Sequence, residues 1–220
     1  MEDIEFLKIQ NLKWLPWLGK NYSNCENRIM IVGESHYAED TPTRLAEFDR
    51  IEITRECIED MGVDNNHYNV KFYQNLHFLL ANNTKLNTEL FWSRVCFFNF
   101  IQKTMTTSQT RPEYLDFHNS SSVFFNLLEK LEPNYCLMCG VSSISAIRNN
   151  VESSGFKEIS FEAFEKIGSS YPRILKLETP LGKKISLIFI KHPSQYFSYD
   201  SWKQFISDKA PEILLQFNDL

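Results

Sequence analysis

Four short apolar runs constrain this chain more than any other feature. They are Arg28–Val32, Val95–Phe98, Tyr135–Cys139 and Ile185–Ile190. Each is too short for a buried helix, and each is followed by a residue suited to a loop. Short continuous apolar runs of this kind read as strands buried on both faces, the usual state of a parallel strand. Helical patterns lie between them. The sequence therefore predicts an α/β three-layer sandwich: a central, mostly parallel four-stranded sheet with helices on both faces.

The helical patterns are specific. Lys71–Leu80 places Phe72, Leu76, Leu79 and Leu80 on one face. Ser122–Leu131 does the same with Val123, Phe124, Leu127, Leu128 and Leu131, behind a run of serines that can cap it. Val141–Val151, Trp202–Ile206 and Pro211–Phe217 complete the set. Ile174–Leu177 and Lys184–Phe189 flank Pro180 and Gly182, the pattern of a hairpin leading into the last strand. Residues 1–27 carry Phe6, Leu7, Ile9, Leu12, Trp14, Leu15, Trp17 and Leu18, which predicts a helical segment packing on the body. With no internal repeat and no linker, residues 1–220 read as one domain.

Composition excludes several classes. The chain has seven glycines, at positions 19, 33, 62, 140, 155, 168 and 182, and none has the spacing of a dinucleotide-binding or P-loop turn. The formal net charge is −5, so a nucleic acid partner must be met by a local basic patch. No apolar run has the length of a membrane span, and the N-terminus lacks the core of a signal peptide, so no membrane association is expected. Five cysteines, an odd number in mostly apolar surroundings, suit reduced thiols and a cytoplasmic setting.

In an open α/β sheet, ligands bind outside the carboxyl ends of the strands. The residues there are Gly33-Glu34-Ser35-His36-Tyr37, then Asn99, then Gly140, then His192-Pro193-Ser194. Three of the four ends thus offer a carboxylate, a carboxamide and an imidazole.

This ordered set resembles the uracil-DNA glycosylase superfamily. Strand-Gly33-Glu34-Ser35-His36-Tyr37 resembles its first motif, and Ile188–Ser194 resembles its last, an apolar strand followed by H-P-S. Phe98-Asn99 resembles the middle strand ending in the base-reading Asn, Arg111-Pro112 with Glu113 its R-P segment, and Pro133–Gly140 its P-x-x-x-x-x-x-G strand. The resemblance implies DNA, single- or double-stranded, as partner, and a modified base flipped into a pocket for hydrolysis of its N-glycosidic bond. It implies that Glu34 orients water or stabilises the cationic sugar, and that His192 bonds the base oxygen that gains charge. It places Asn99 on the polar edge of the base and Tyr37 as a wall on its C5 side. Gly33 and Ser35 would complete the base site, with Ser35 where one branch has its Asp. Arg111, Lys191, Ser194, Tyr196 and Phe197 would contact DNA, the last two as wedges in the vacated stack. No metal or cofactor is implied.

Two other readings use the same residues. Strand-Gly33-Glu34-Ser35-His36-Tyr37 with a late His192 could be a serine hydrolase, although Tyr37 occupies the position where a nucleophile elbow needs a small residue. A binding module could keep the pocket without turnover. Cys136-Leu137-Met138-Cys139 has C-x-x-C spacing but sits within an apolar run, and is read as core. Protein partners are not legible.

Overall fold

The computed structural model describes residues 3–64, 70–81, 86–106 and 111–220. In chain order the elements are α1 (Asp3–Leu7), β1 (Trp17–Leu18), β2 (Ile29–Gly33), α2 (Pro42–Glu47), α3 (Ile53–Cys57), α4 (Lys71–Leu80), α5 (Thr88–Ser93) and β3 (Val95–Asn99). There follow α6 (Tyr114–Leu131), β4 (Tyr135–Cys139), α7 (Ile144–Asn150), β5 (Lys157–Ala163), β6 (Arg173–Glu178), β7 (Lys184–Ile190), α8 (Tyr199–Lys209) and α9 (Pro211–Leu215). A π-helical turn, Ile58–Val63, continues α3. Among the described residues no helix is long and apolar enough to cross a membrane.

The sheet corrects the sequence expectation. Among the described residues it has seven strands in the order β1-β3-β2-β4-β7-β6-β5. The pairings β2–β3, β2–β4 and β4–β7 are parallel, whereas β1–β3, β6–β7 and β5–β6 are antiparallel. The sheet is therefore mixed, not a mostly parallel sheet of four strands.

The expected hairpin into the last strand is present as β6–β7, and the strands that were missed are the two at the edges. Trp17 and Leu18, in the segment expected to be helical, pair with Phe97 and Cys96. A strand of two residues is too short to show any periodicity. β5 is a half-exposed edge strand, Lys-Glu-Ile-Ser-Phe-Glu-Ala, with a register shift between Glu158 and Ser160. Its charges and irregularity suit an edge that must not pair further, and they hide it from a search for apolar runs. The β6–β7 hairpin runs from Arg173↔Phe189 to Glu178↔Lys184, and Gly182 takes a φ of +79° in its turn.

Strand alternation divides the core into two layers. On one face Met30, Val32, Phe98, Cys136, Met138, Leu187 and Phe189 pack with Phe124, Leu127 and Leu128 of α6 and Ile147 of α7. On the other, Ile29, Ile31, Phe97, Leu137, Cys139 and Ile188 pack with Leu76 and Leu79 of α4, Trp92 of α5, Trp202 of α8 and Ile213 of α9. Cys136 and Cys139 therefore face opposite layers, both buried, and do not form a pair. Burial pushes the thiols of both up.

α6 begins at Tyr114, ahead of the serines expected to cap it. The Asp116 carboxylate accepts the Glu113 N–H (3.0 Å) and closes the first turn. The serines lie inside the helix, where the Ser121 hydroxyl donates to the Phe117 carbonyl one turn back (2.9 Å).

Candidate functional site

β2 and β3 end side by side, with Gly33 in register with Asn99. Their connection continues beyond the sheet as a pair of loops laced together. Phe100 N–H donates to the Gly33 carbonyl (3.0 Å) and Ile101 N–H to that of Glu34 (2.9 Å). Met105 N–H donates to the His36 carbonyl (2.8 Å), and Ala38 N–H returns to Met105 (2.9 Å). Residues 34–38 are thus fixed by backbone bonds to residues 100–105. Gln102 extends the lacing: its amide donates to the Asn99 carbonyl (2.7 Å), and its side-chain oxygen accepts the N–H groups of Lys13 and Trp14 (2.9 and 3.0 Å).

Within this frame the Tyr37 hydroxyl donates to Glu34 Oε1. Burial first, and then this bond to the carboxylate, raise the Tyr37 phenol well above its ordinary value. The Arg111 guanidinium is near enough to that hydroxyl to oppose the shift.

β7 delivers His192 to the same place. Its ring lies 5.2 Å from that of Phe72 on the first turn of α4, tilted by 38°. Burial is the main cause that lowers its pKa; the Glu34 charge acts against this and the Arg111 charge with it. The imidazole is therefore held toward its neutral form. The turn after it is clamped by Asn75 of α4, whose amide donates to the carbonyls of Ser194 (2.9 Å) and Pro193 (3.3 Å).

Gly33, Glu34, Ser35, Tyr37, Asn99 and His192 border one cavity of about 280 Å³. Phe72, Val70, the π-helical Met61 and Cys57 give the same cavity an apolar lining. Asn99 is 5% exposed, and among the described residues its carboxamide has no hydrogen-bond partner. Three residues distant in sequence, Glu34, Asn99 and His192, meet here because three strands end at one side of the sheet.

The other expected roles meet different outcomes. The Ser35 hydroxyl donates to the Lys103 carbonyl, not to His192. The adjacent His36 is buried, with Nε2 2.9 Å from Thr54 Oγ1 and its ring edge-on to Trp14. Neither arrangement makes a Ser–His nucleophile. Arg111 is exposed at the site, whereas Lys191 Nζ donates to the Tyr196 carbonyl (2.7 Å). Ser194 meets Asn75 through its carbonyl. Tyr196 is 92% exposed with a φ of +56°. Phe197 corrects the expectation of a second wedge: it is buried and stacked on Trp202, with ring planes 7° apart. Among the described residues no cluster of three or more His, Cys, Asp or Glu could hold a metal.

Sequence reasoning missed Phe72, Asn75, Cys57 and Met61. Phe72 was visible only as part of a helix face, and Asn75 as an ordinary polar position on it. Cys57 and Met61 belong to α3 and its π-helical continuation, which had no recognisable periodicity. No family model matches the chain, and no curated protein matches it.

Proposed function

We propose that this pocket receives a nucleobase flipped out of DNA and that the chain hydrolyses the N-glycosidic bond holding it. The observation that carries the reading is the meeting of Glu34, Asn99 and His192 around one cavity of about 280 Å³ at the ends of β2, β3 and β7. That volume sits near the lower end of ligand pockets, roughly 300–1,000 Å³. It suits a single ring system, with sugar and phosphate left outside.

The chemistry follows from the groups. Asn99 offers a donor and an acceptor to the polar edge of the base. As the glycosidic bond breaks, its electron pair leaves with the base nitrogen and negative charge spreads to the base oxygens. A neutral His192 can donate its N–H to such an oxygen without having to lose a full charge. The sugar becomes cationic at its anomeric carbon, and the Glu34 carboxylate stabilises it and orients the water that attacks. Water adds oxygen to that carbon and its proton goes to the carboxylate and then to solvent. The products are a free base and an abasic site.

Two further features support a DNA partner. Arg111 stands at the site as an exposed cation. Tyr196 is an aromatic residue exposed in a left-handed conformation, a strained presentation that the Lys191 bond to its carbonyl maintains.

The test uses single- and double-stranded oligonucleotides carrying uracil, hypoxanthine or mismatches, followed by alkaline cleavage at abasic sites. Base loss from at least one substrate is expected, falling at least tenfold in Glu34→Gln and His192→Ala, since positioned acid–base groups contribute about 10²–10⁴-fold. Binding without any abasic product across the panel would replace hydrolysis with nucleobase binding alone.

A further inference from the structure

We infer that Tyr37 is a positioning residue that acts through Glu34. This rests on the hydrolytic reading of the pocket. Three observations carry it. The Tyr37 hydroxyl is committed to Glu34 Oε1. The segment bearing both residues is fastened on each side by backbone bonds, from Ile101 to Glu34 and from Ala38 to Met105, so the phenol is held in that bond. Tyr37 and Glu34 both border the cavity.

The physical consequence concerns the two carboxylate oxygens. An unrestrained glutamate rotates about its last torsion, which is broad. With Oε1 engaged by the phenol, Oε2 is left in a fixed direction for water and sugar. Burial and the carboxylate both favour the protonated phenol, the form that donates. Arg111 places positive charge on the same pair from a residue outside the laced loops.

Two measurements on the full chain test this. The first compares single-turnover base loss for wild type, Tyr37→Phe, Glu34→Gln and the double variant. Phenylalanine keeps the ring and removes the bond. A loss of about tenfold or more is expected in Tyr37→Phe, because small misplacements of a catalytic group are that costly. No further loss is expected when the same change is made in Glu34→Gln, since coupled residues are non-additive. Full activity in Tyr37→Phe, or a loss that multiplies with that of Glu34→Gln, would overturn the inference. The second measurement needs no turnover. The ring ¹³Cζ resonance of Tyr37 is followed from pH 8 to 11 in wild type and in Glu34→Gln. Wild-type Tyr37 is expected not to titrate where exposed tyrosines do, around pH 10, and its resonance is expected to move when Glu34 is replaced. Ordinary titration in wild type, or an identical resonance in both, would overturn the pairing. Failure of base loss in wild type with the resonance behaving as expected would instead remove the hydrolytic reading and leave the Tyr37–Glu34 pair standing.

Discussion

Asn99 Oδ1 lies 2.3 Å from the point where a Cβ on Gly33 would stand. The two residues are register partners at the ends of β2 and β3, so the carboxamide lies directly over the glycine. The ring tip of Phe97 is 2.9 Å from the same point. Gly33 has no left-handed φ; what the site needs from it is the missing side chain. Gly33→Ala is expected to push the carboxamide out of its place, lowering base loss at least tenfold. The overpacking costs roughly 1–3 kcal/mol of stability. In an Asn99→Ala background the same substitution should destabilise less, because the nearest obstruction is gone. Thermal melts of the four proteins in this cycle check it, and equal costs in the two backgrounds would mean that Asn99 does not sit over Gly33.

Ser35 separates hydrolysis at the glycosidic bond from serine chemistry. Its hydroxyl donates to the Lys103 carbonyl and, among the described residues, has no imidazole partner. Ser35→Ala should leave base loss within about twofold of wild type and lower stability by about 1 kcal/mol, the value of one hydrogen bond. A fluorophosphonate probe should not label the protein. Labelling lost in Ser35→Ala would establish a nucleophilic serine.

Tyr196 and Phe197 are neighbours with opposite expectations. Tyr196 is 92% exposed at a φ of +56°. Glycine takes that conformation without strain, so Tyr196→Gly should leave the melting temperature unchanged or higher. It should weaken DNA binding roughly tenfold, given about 1–3 kcal/mol per aromatic–base contact. Phe197 stacks on Trp202 inside the core layer of α4, α8 and α9. Phe197→Ala should cost about 3 kcal/mol through the cavity it leaves. Binding isotherms and melts on the two variants check both halves. A Tyr196→Gly protein that binds as well as wild type would remove the wedge role.

What could be read from the sequence follows from how burial writes itself into residues. β2, β3, β4 and β7 lie inside the sheet, and continuous apolar runs announced them. The hairpin of β6 with β7 was legible from its turn residues, but β1 and β5 lie at the edges, one too short and the other too polar to leave that mark, so the full extent of the mixed sheet was not. The site divides in the same way. Glu34, Asn99 and His192 stand at or just beyond strand ends, and strand ends can be located from the runs they terminate. The partners that hold them arrive from elements whose place depends on tertiary packing. Asn75 reaches the Pro193 and Ser194 carbonyls from α4, and Gln102 ties Asn99 to the segment at Lys13 and Trp14. Tyr37 was visible as a residue, while its partner was not, because a hydrogen bond between side chains three apart in a loop has no sequence signature.

Acid should destabilise the fold through two histidines outside the catalytic chemistry. His36 is buried against Trp14, Phe48 and Thr54. His77 is buried beside Phe91, and its Nε2 accepts the Trp92 indole N–H (3.0 Å). Burial lowers both from 6.5 to about 4. A folded-state pKa below the unfolded value means that the unfolded chain takes up the proton first. Stability is therefore complete above pH 6.5 and declines as the pH falls toward 4, where the native histidines are themselves protonated. At about 1.4 kcal/mol per unit, each histidine accounts for roughly 3 kcal/mol over that window. His77→Gln keeps an acceptor for Trp92 without a titrating ring. Its loss of stability between pH 7 and pH 4.5 should be smaller than the wild type's by up to about 2.5 kcal/mol. Chemical denaturation at the two pH values measures the difference, and an unchanged pH dependence would show that His77 does not supply it.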